Sequence, residues 1–344
     1  MEDRVLNFAI IGCGVIAPNH AEGIVNTPSA RLVAVADIVE EKAVKFAQKY
    51  NCDWYTDYKK MLDRPDIDVV NICTPSGLHP EMAIEAMRRG KHVITEKPMA
   101  ITLEQADAMI SASKEYKRKL ACIFQRRTQS IFKKIKEVTS QGAIGKLILG
   151  DAYMKYFRSQ AYYDSGDWRG TWALDGGGAL MNQGIHCIDL MQWIMGEVGS
   201  VFAYTRTLAR KIEVEDTAVS VLEYKNGAIG IIEGTTSVVP GFDHRLEFHG
   251  VDGSILVNGE KIARWEVPGL ELKLDSYETA GSTASDPRVA SYRGHQILIQ
   301  DMIDAIKNDR DPLIPGEEGK KALKIILAIY KSSRERKEVY LDTM

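Results

Sequence analysis

At 344 residues the chain exceeds the roughly 100 to 200 residues of one ordinary domain, so two domains are expected. Hydrophobic residues make up 45% of it, charged ones 26%, and the formal net charge is −3, which excludes a disordered or fibrous chain and leaves no basic surplus for a nucleic-acid partner. No apolar run approaches the ~20 residues that span a bilayer, and Met1-Glu2-Asp3-Arg4 lacks the apolar core of a signal peptide, so a cytoplasmic protein with no membrane partner is expected.

From Val5 to Phe124 short apolar runs alternate with amphipathic stretches, the pattern of a parallel sheet covered by helices. Strands are predicted at Leu6–Ile11, Leu32–Ala36, Val69–Cys73, His92–Thr95 and Leu120–Phe124. Helices are predicted near His20–Asn26, Glu40–Tyr50, Pro80–Arg89 and Leu103–Tyr116. The basic stretch Lys114 to Lys119 reads as a solvated helix end. Beyond Phe124 the rhythm changes: a helix (Ser130–Ser140), a strand (Lys146–Phe157), a Gly- and Trp-rich loop, a helix near His186–Met195, then strands at Ala218–Glu223, Ala228–Glu233, Arg245–His249 and Ser254–Val257. Asn226-Gly227 and Asp252-Gly253 between them are hairpin turns and imply antiparallel pairing. Helices near Tyr292–Lys307 and Gly316–Ser332 close the chain. The fold class expected is α/β: a doubly wound nucleotide-binding domain over residues 1–124, followed by an α+β substrate and oligomerisation domain over 125–344 with a mostly antiparallel open sheet. Cys13, Cys52, Cys73, Cys122 and Cys187 are scattered without metal-ligand spacing, so reduced thiols and no metal are expected.

Directly after the first strand comes Gly12-Cys13-Gly14-Val15-Ile16-Ala17, a GxGxxA sequence opening a helix. The first glycine permits the tight turn, the second lets a pyrophosphate approach the backbone, and the small third residue lets helix pack on strand. The second strand ends at Asp37, 20 residues beyond Ala17, where a carboxylate accepts hydrogen bonds from ribose hydroxyls and repels a 2′-phosphate. NAD is therefore expected in preference to NADP. Asp37 also suits the N-terminus of the following helix. Thr74, Pro75, Ser76 and His79 follow the third strand at the carboxyl edge, either lining the cofactor or forming only the turn into the next helix.

The fourth strand runs into Glu96-Lys97-Pro98, and a lysine there is placed to stabilise an alkoxide while hydride leaves carbon. Together with Thr74-Pro75 and the segment Gly176-Gly177-Gly178-Ala179-Leu180-Met181-Asn182-Gln183-Gly184-Ile185-His186-Cys187-Ile188-Asp189, this sequence resembles the glucose-fructose oxidoreductase / inositol dehydrogenase / MocA-like group of NAD(P)-dependent oxidoreductases, over essentially its whole length. The resemblance implies Lys97 and His186 as catalytic residues, with Glu96 and Lys97 beside the cofactor. It also implies homodimers or homotetramers formed through the open sheet. Inositol dehydrogenase-like members carry Asp at the position of Asn182, and an amide is no base. Asn182 is therefore expected to hold a substrate hydroxyl and to leave proton transfer to His186, whose imidazole titrates near neutrality. Asp189 either orients His186 or packs and caps.

The loop from Tyr162 to Trp172 concentrates aromatics with Arg169, a composition suited to a sugar or polyol. Trp168, Arg169 and Trp172, with Tyr156 and Arg126, are the further substrate candidates, though the tryptophans equally suit anchoring the loop. The function expected is hydride transfer between NAD and a secondary hydroxyl of a sugar, sugar nucleotide, glycoside or inositol. The alternatives are a redox-neutral glycoside-cleaving enzyme that recycles its NAD, and a non-catalytic NAD-binding sugar sensor.

Overall fold

The computed structural model describes residues 4–272 and 291–344, so Met1-Glu2-Asp3 of the N-terminal reading lie outside the described residues. The chain divides into two compact units: residues 1–125 with 291–320, and residues 126–290 with 321–344.

In the first unit β1 (Leu6–Ile11), α1 (Ala17–Val25), β2 (Ala30–Ala36), α2 (Glu40–Tyr50), β3 (Asp53–Tyr55), α3 (Tyr58–Leu62), β4 (Val69–Ile72), α4 (His79–Arg88), β5 (His92–Thr95), α5 (Leu103–Glu115) and β6 (Leu120–Cys122) follow in order. The strands form one parallel sheet in the order β3-β2-β1-β4-β5-β6. All four β4 residues are buried, as expected of a strand covered on both faces. The strand order reverses between β1 and β4, which opens the crevice outside the carboxyl ends where doubly wound sheets bind ligands. Five strands were predicted and six are present. The sixth, β3, has three residues, too few for a periodic signal.

In the second unit come α6 (Ser130–Ser140), β7 (Leu147–Lys155), α7 (Gln160–Tyr163), a wide helical turn (Ala179–Gly184), α8 (Ile185–Met195), β8 (Val198–Arg206), β9 (Thr217–Tyr224), β10 (Ile229–Thr235), β11 (Arg245–Gly250), β12 (Ser254–Asn258) and β13 (Lys261–Glu266). Helix α9 (Arg293–Lys307) belongs to the first unit and packs on α1; α10 (Gly316–Glu335) passes from the first unit into the second, and β14 (Val339–Tyr340) ends the sheet. The sheet runs β13-β12-β11-β7-β10-β9-β8-β14 and is antiparallel except for β7 beside β10. Along β9, Ala218, Ser220, Leu222 and Tyr224 are buried while Val219, Val221 and Glu223 face solvent, and α8 covers β7 and β11. No helix among the described residues is long and apolar enough to cross a membrane.

Candidate active site

The turn after β1 is built around Gly12, whose φ of +93° lies in the left-handed region and whose N–H donates to Ala36 O at 2.8 Å. A Cβ there would lie 2.8 Å from Cys73 O, so only glycine fits. A Cβ on Gly14, by contrast, would have no heavy atom within 4 Å. Ile16 heads α1 without a side-chain hydrogen bond, and Ala17 is wholly buried against the sheet. A backbone turn with open space at its second glycine, beside uncapped helix N–H groups, fits a dinucleotide pyrophosphate.

Asp37 ties this turn to the next one. Its Oδ2 accepts from Cys13 N at 2.8 Å and its Oδ1 from Val39 N at 2.9 Å, just ahead of α2. Both readings of Asp37 thus have a physical basis: it holds the turn before α2, and each oxygen retains a second lone pair for a ribose hydroxyl. Val15 is exposed, and burial lifts the Cys13 thiol to about 12, which removes it from thiolate chemistry.

At the carboxyl ends of β4 and β5, His79 joins two loops: Nε2 lies 2.8 Å from Thr74 O and Nδ1 2.9 Å from Pro98 O. Burial pushes its imidazole below the ordinary range. Thr74, Pro75 and Lys97 are half-buried, Ser76 is buried at the start of a short 3-10 turn, and Lys97-Pro98 is cis. Glu96 is buried; its Oε1 faces His20 Nε2 at 2.9 Å and His295 Nε2 at 3.3 Å, and its Oε2 accepts from Lys97 N at 3.2 Å.

In the second unit the glycine-rich segment enters the wide turn that delivers Asn182 and then, one turn on, His186 in α8; both side chains are half-buried. Glu215 builds that entry. Its Oε2 accepts from Gly178 N, its Oε1 from Leu180 N and the Tyr330 hydroxyl, and its backbone O from Ala179 N, so one residue satisfies three successive N–H groups at the start of the helical run. A Cβ on Gly178 would lie 1.8 Å from Glu215 O. Burial raises the Glu215 carboxyl to about 7 against the pull of those donors.

The Asn182 amide donates to Asp175 Oδ1 at 2.6 Å, and its oxygen accepts from Gln183 Nε2 at 2.8 Å. Gln183 also donates to the Tyr162 hydroxyl, which accepts from Arg169 at 2.7 Å. The Arg169 guanidinium lies between the Tyr162 and Trp168 rings, 4.4 Å from each centroid. Asn182, Arg169 and Trp168 therefore share one network. Trp172 stands apart from it, edge-on to Tyr330, with its backbone N–H donating to Glu213. Arg126 and the buried Tyr156 meet at Cys187, the neighbour of His186; Arg126 Nη1 is 3.3 Å and the Tyr156 hydroxyl 3.6 Å from its Sγ. Asp189 makes a buried two-point pair with Arg127, at 2.8 and 2.5 Å, the packing alternative of the sequence reading.

Sequence reasoning missed His20, Asp175, Gln183, Glu215 and His295. Asp175 carried one signal, its place directly before the triple glycine, and Gln183 another, its place inside the glycine-led segment beside Asn182; His20, Glu215 and His295 sit in ordinary amphipathic or charged stretches.

Residues 6–124 match the family model described as "Oxidoreductase family, NAD-binding Rossmann fold", and residues 132–256 match "GFO/IDH/MocA C-terminal domain". A myo-inositol 2-dehydrogenase of Thermotoga maritima is 30% identical over 98% of this chain and 99% of its own. A scyllo-inositol 2-dehydrogenase (NAD(+)) of Bacillus subtilis is 28% identical over 99% and 98%. The crystal structure of the WlbA dehydrogenase from Bordetella pertussis, in complex with NADH and UDP-GlcNAcA, superposes with a TM-score of 0.89 at 32% identity, covering 98% of this chain and 99% of that one. The turn at Gly12, the glycine-led helix bearing His186 and these full-length matches agree, and the chain belongs to the Gfo/Idh/MocA family of oxidoreductases.

Proposed function

We propose that this protein is an NAD-dependent dehydrogenase acting on a secondary hydroxyl of a sugar, sugar nucleotide, glycoside or inositol. The observation that carries the cofactor choice is Asp37, whose carboxylate closes the turn at Cys13 and would oppose a 2′-phosphate. Gly12 to Ala17 would hold the pyrophosphate, with Thr74, Pro75, Ser76, His79 and Glu96 around the carboxyl edge. When bound, the nicotinamide supplies the hydride acceptor.

Lys97 stabilises the oxyanion that develops at the carbinol oxygen, because a fixed ammonium acts most strongly where charge appears in the transition state. His186 accepts the hydroxyl proton. Asn182, held by Asp175 and Gln183, presents an amide to a substrate hydroxyl and moves no proton. Trp168, Arg169, Trp172, Tyr156 and Arg126 complete the recognition of the ring. The substrates named for relatives, myo-inositol, scyllo-inositol and UDP-GlcNAcA, share vicinal hydroxyls that such a surface reads. We further propose that the protein works in the cytoplasm as a homodimer or homotetramer joined through the open sheet face, where Tyr204, Val219, Val221 and Ile229 are each about half exposed or more.

The test is turnover of myo-inositol, scyllo-inositol, levoglucosan and UDP-GlcNAcA with NAD and NADP in parallel, followed by the absorbance of reduced nicotinamide. Net reduction, faster with NAD, is expected for at least one of them. Lys97→Met and His186→Ala should each lower kcat by about 10²-fold or more. Retention of turnover by either variant would overturn its role, and a silent panel with intact NAD binding would favour the sensor.

A further inference from the structure

The cluster His20, Glu96 and His295 lies in the first unit and draws on the helix after the glycine turn, the Glu96-Lys97-Pro98 turn and a helix near the end of the chain. All three residues are buried, with both imidazoles at 0% exposure and Glu96 at 6%. His20 comes from α1, directly after the glycine turn, and His295 from α9, 199 residues from Glu96. The two rings meet edge to face at 4.8 Å.

The partners of His20 fix its tautomer. His20 Nδ1 accepts from the Asn71 amide at 2.8 Å, so Nε2 carries the proton and donates it to Glu96 Oε1. His295 Nε2 is directed at the same oxygen, and its Nδ1 has no hydrogen-bond partner among the described residues. Both imidazoles thus direct Nε2 at one carboxylate oxygen, His20 as a neutral donor, and the other oxygen accepts from the backbone N–H of Lys97. Burial alone would raise the Glu96 carboxyl, yet the two imidazole donors hold it well below the carboxylate range; burial likewise keeps His20 neutral. A structure that buries a carboxylate and directs two imidazoles and a backbone N–H at it has fixed an anion whose field is weakly screened. The three ligand atoms lie within 4.8 Å of one another, a spacing a metal ion also tolerates, but a protonated His20 Nε2 cannot ligate one.

We propose that His20 and His295 hold Glu96 as a permanent buried anion beneath Lys97, and that this anion favours the oxidised, positively charged nicotinamide over the reduced, neutral one. The proposal rests on the reading that the carboxyl edge of this sheet holds the nicotinamide. Its consequence is a redox bias set by protein residues that touch neither hydroxyl nor ribose, with Lys97 acting in the opposite sense.

Equilibrium binding of NAD⁺ and NADH to the full-length protein tests it without any substrate, using wild type, Glu96→Gln, His295→Gln, His295→Leu and Lys97→Met. Glu96→Gln should weaken NAD⁺ by about five- to tenfold relative to NADH. His295→Leu should shift the ratio the same way by a smaller factor, and His295→Gln, which keeps an N–H donor, should stay within about twofold of wild type. Lys97→Met should shift the ratio oppositely. Equal weakening of both forms in folded Glu96→Gln means that the cluster serves only the fold, and it overturns the proposal; so does stoichiometric metal in the purified protein. If Glu96→Gln does not fold, the His295→Leu and His295→Gln pair decides by the same ratio. An unchanged ratio in Lys97→Met beside a shifted one in Glu96→Gln would overturn the role given to Lys97 and leave this proposal standing.

Discussion

Asn182 and Asp175 meet amide to carboxylate at 2.6 Å, and the polarity of that contact decides what either can do. Asp175 is buried and its second oxygen accepts from Gly170 N, so both of its oxygens are committed. Asn182→Asp would set two carboxylates against each other, and one must then bind a proton or the contact opens. We expect a loss of about 1–3 kcal/mol at neutral pH in denaturant unfolding, together with a fall in turnover. The exchanged pair Asp175→Asn with Asn182→Asp restores the donor, because the amide at 175 still accepts from Gly170 N and now donates to 182. Recovery of most of the lost stability is the outcome expected. A double variant no better than the single one would show that the contact carries no such weight. Neither the pairing nor its polarity was legible in the sequence, which marked Asn182 by its place in the glycine-led segment but gave it no partner.

The wide turn at Ala179–Gly184 shows how an element is held by residues outside it. Its first N–H groups receive no cap from their own segment and are taken up by Glu215, 37 residues from Gly178. Because the folded carboxyl titrates near 7, above its ordinary value of 4.5, the folded protein binds more protons than the unfolded one between those values. The contribution of Glu215 is therefore fully present below pH 4.5 and is lost as pH rises to about 7, a change on the order of 3 kcal/mol. Glu215→Gln should remove that slope, so wild type loses ground to the variant between these two pH values and runs parallel above. Parallel stability curves across the whole interval, measured by urea unfolding, would refute the shift. Sequence periodicity placed α8 within a residue of its observed start, whereas the turn before it has no heptad or alternation by which to be read.

At the scale of the whole molecule, the exposed face of the second sheet carries apolar side chains. Strand β9 alternates as a half-buried strand should, yet Val219 and Val221 occupy positions that would be polar on a sheet facing only water. Val219→Glu with Val221→Lys should convert an oligomer to monomer in light scattering while leaving unfolding of the monomer nearly unchanged, since both side chains are about half exposed. A wild-type monomer at micromolar concentration would remove the proposal of self-association.

By itself the sequence determined the features that local burial writes into it. These are the apolar strands of the first sheet, the glycine turn at Gly12, the placement of Asp37 and Lys97 at strand ends, and the hairpins at Asn226-Gly227 and Asp252-Gly253. Each is set by residues a few positions apart, so periodicity and turn chemistry suffice to read it. Only the tertiary structure decided that β7 pairs parallel with β10, that α9 returns to the first unit, and that His20, Glu96 and His295 converge. Those contacts join residues tens to hundreds of positions apart, and a buried histidine in a helix looks the same in sequence whether it faces a carboxylate or a leucine. Their partners are fixed by topology and by the need to satisfy every buried polar group, conditions that exist only once the chain is folded.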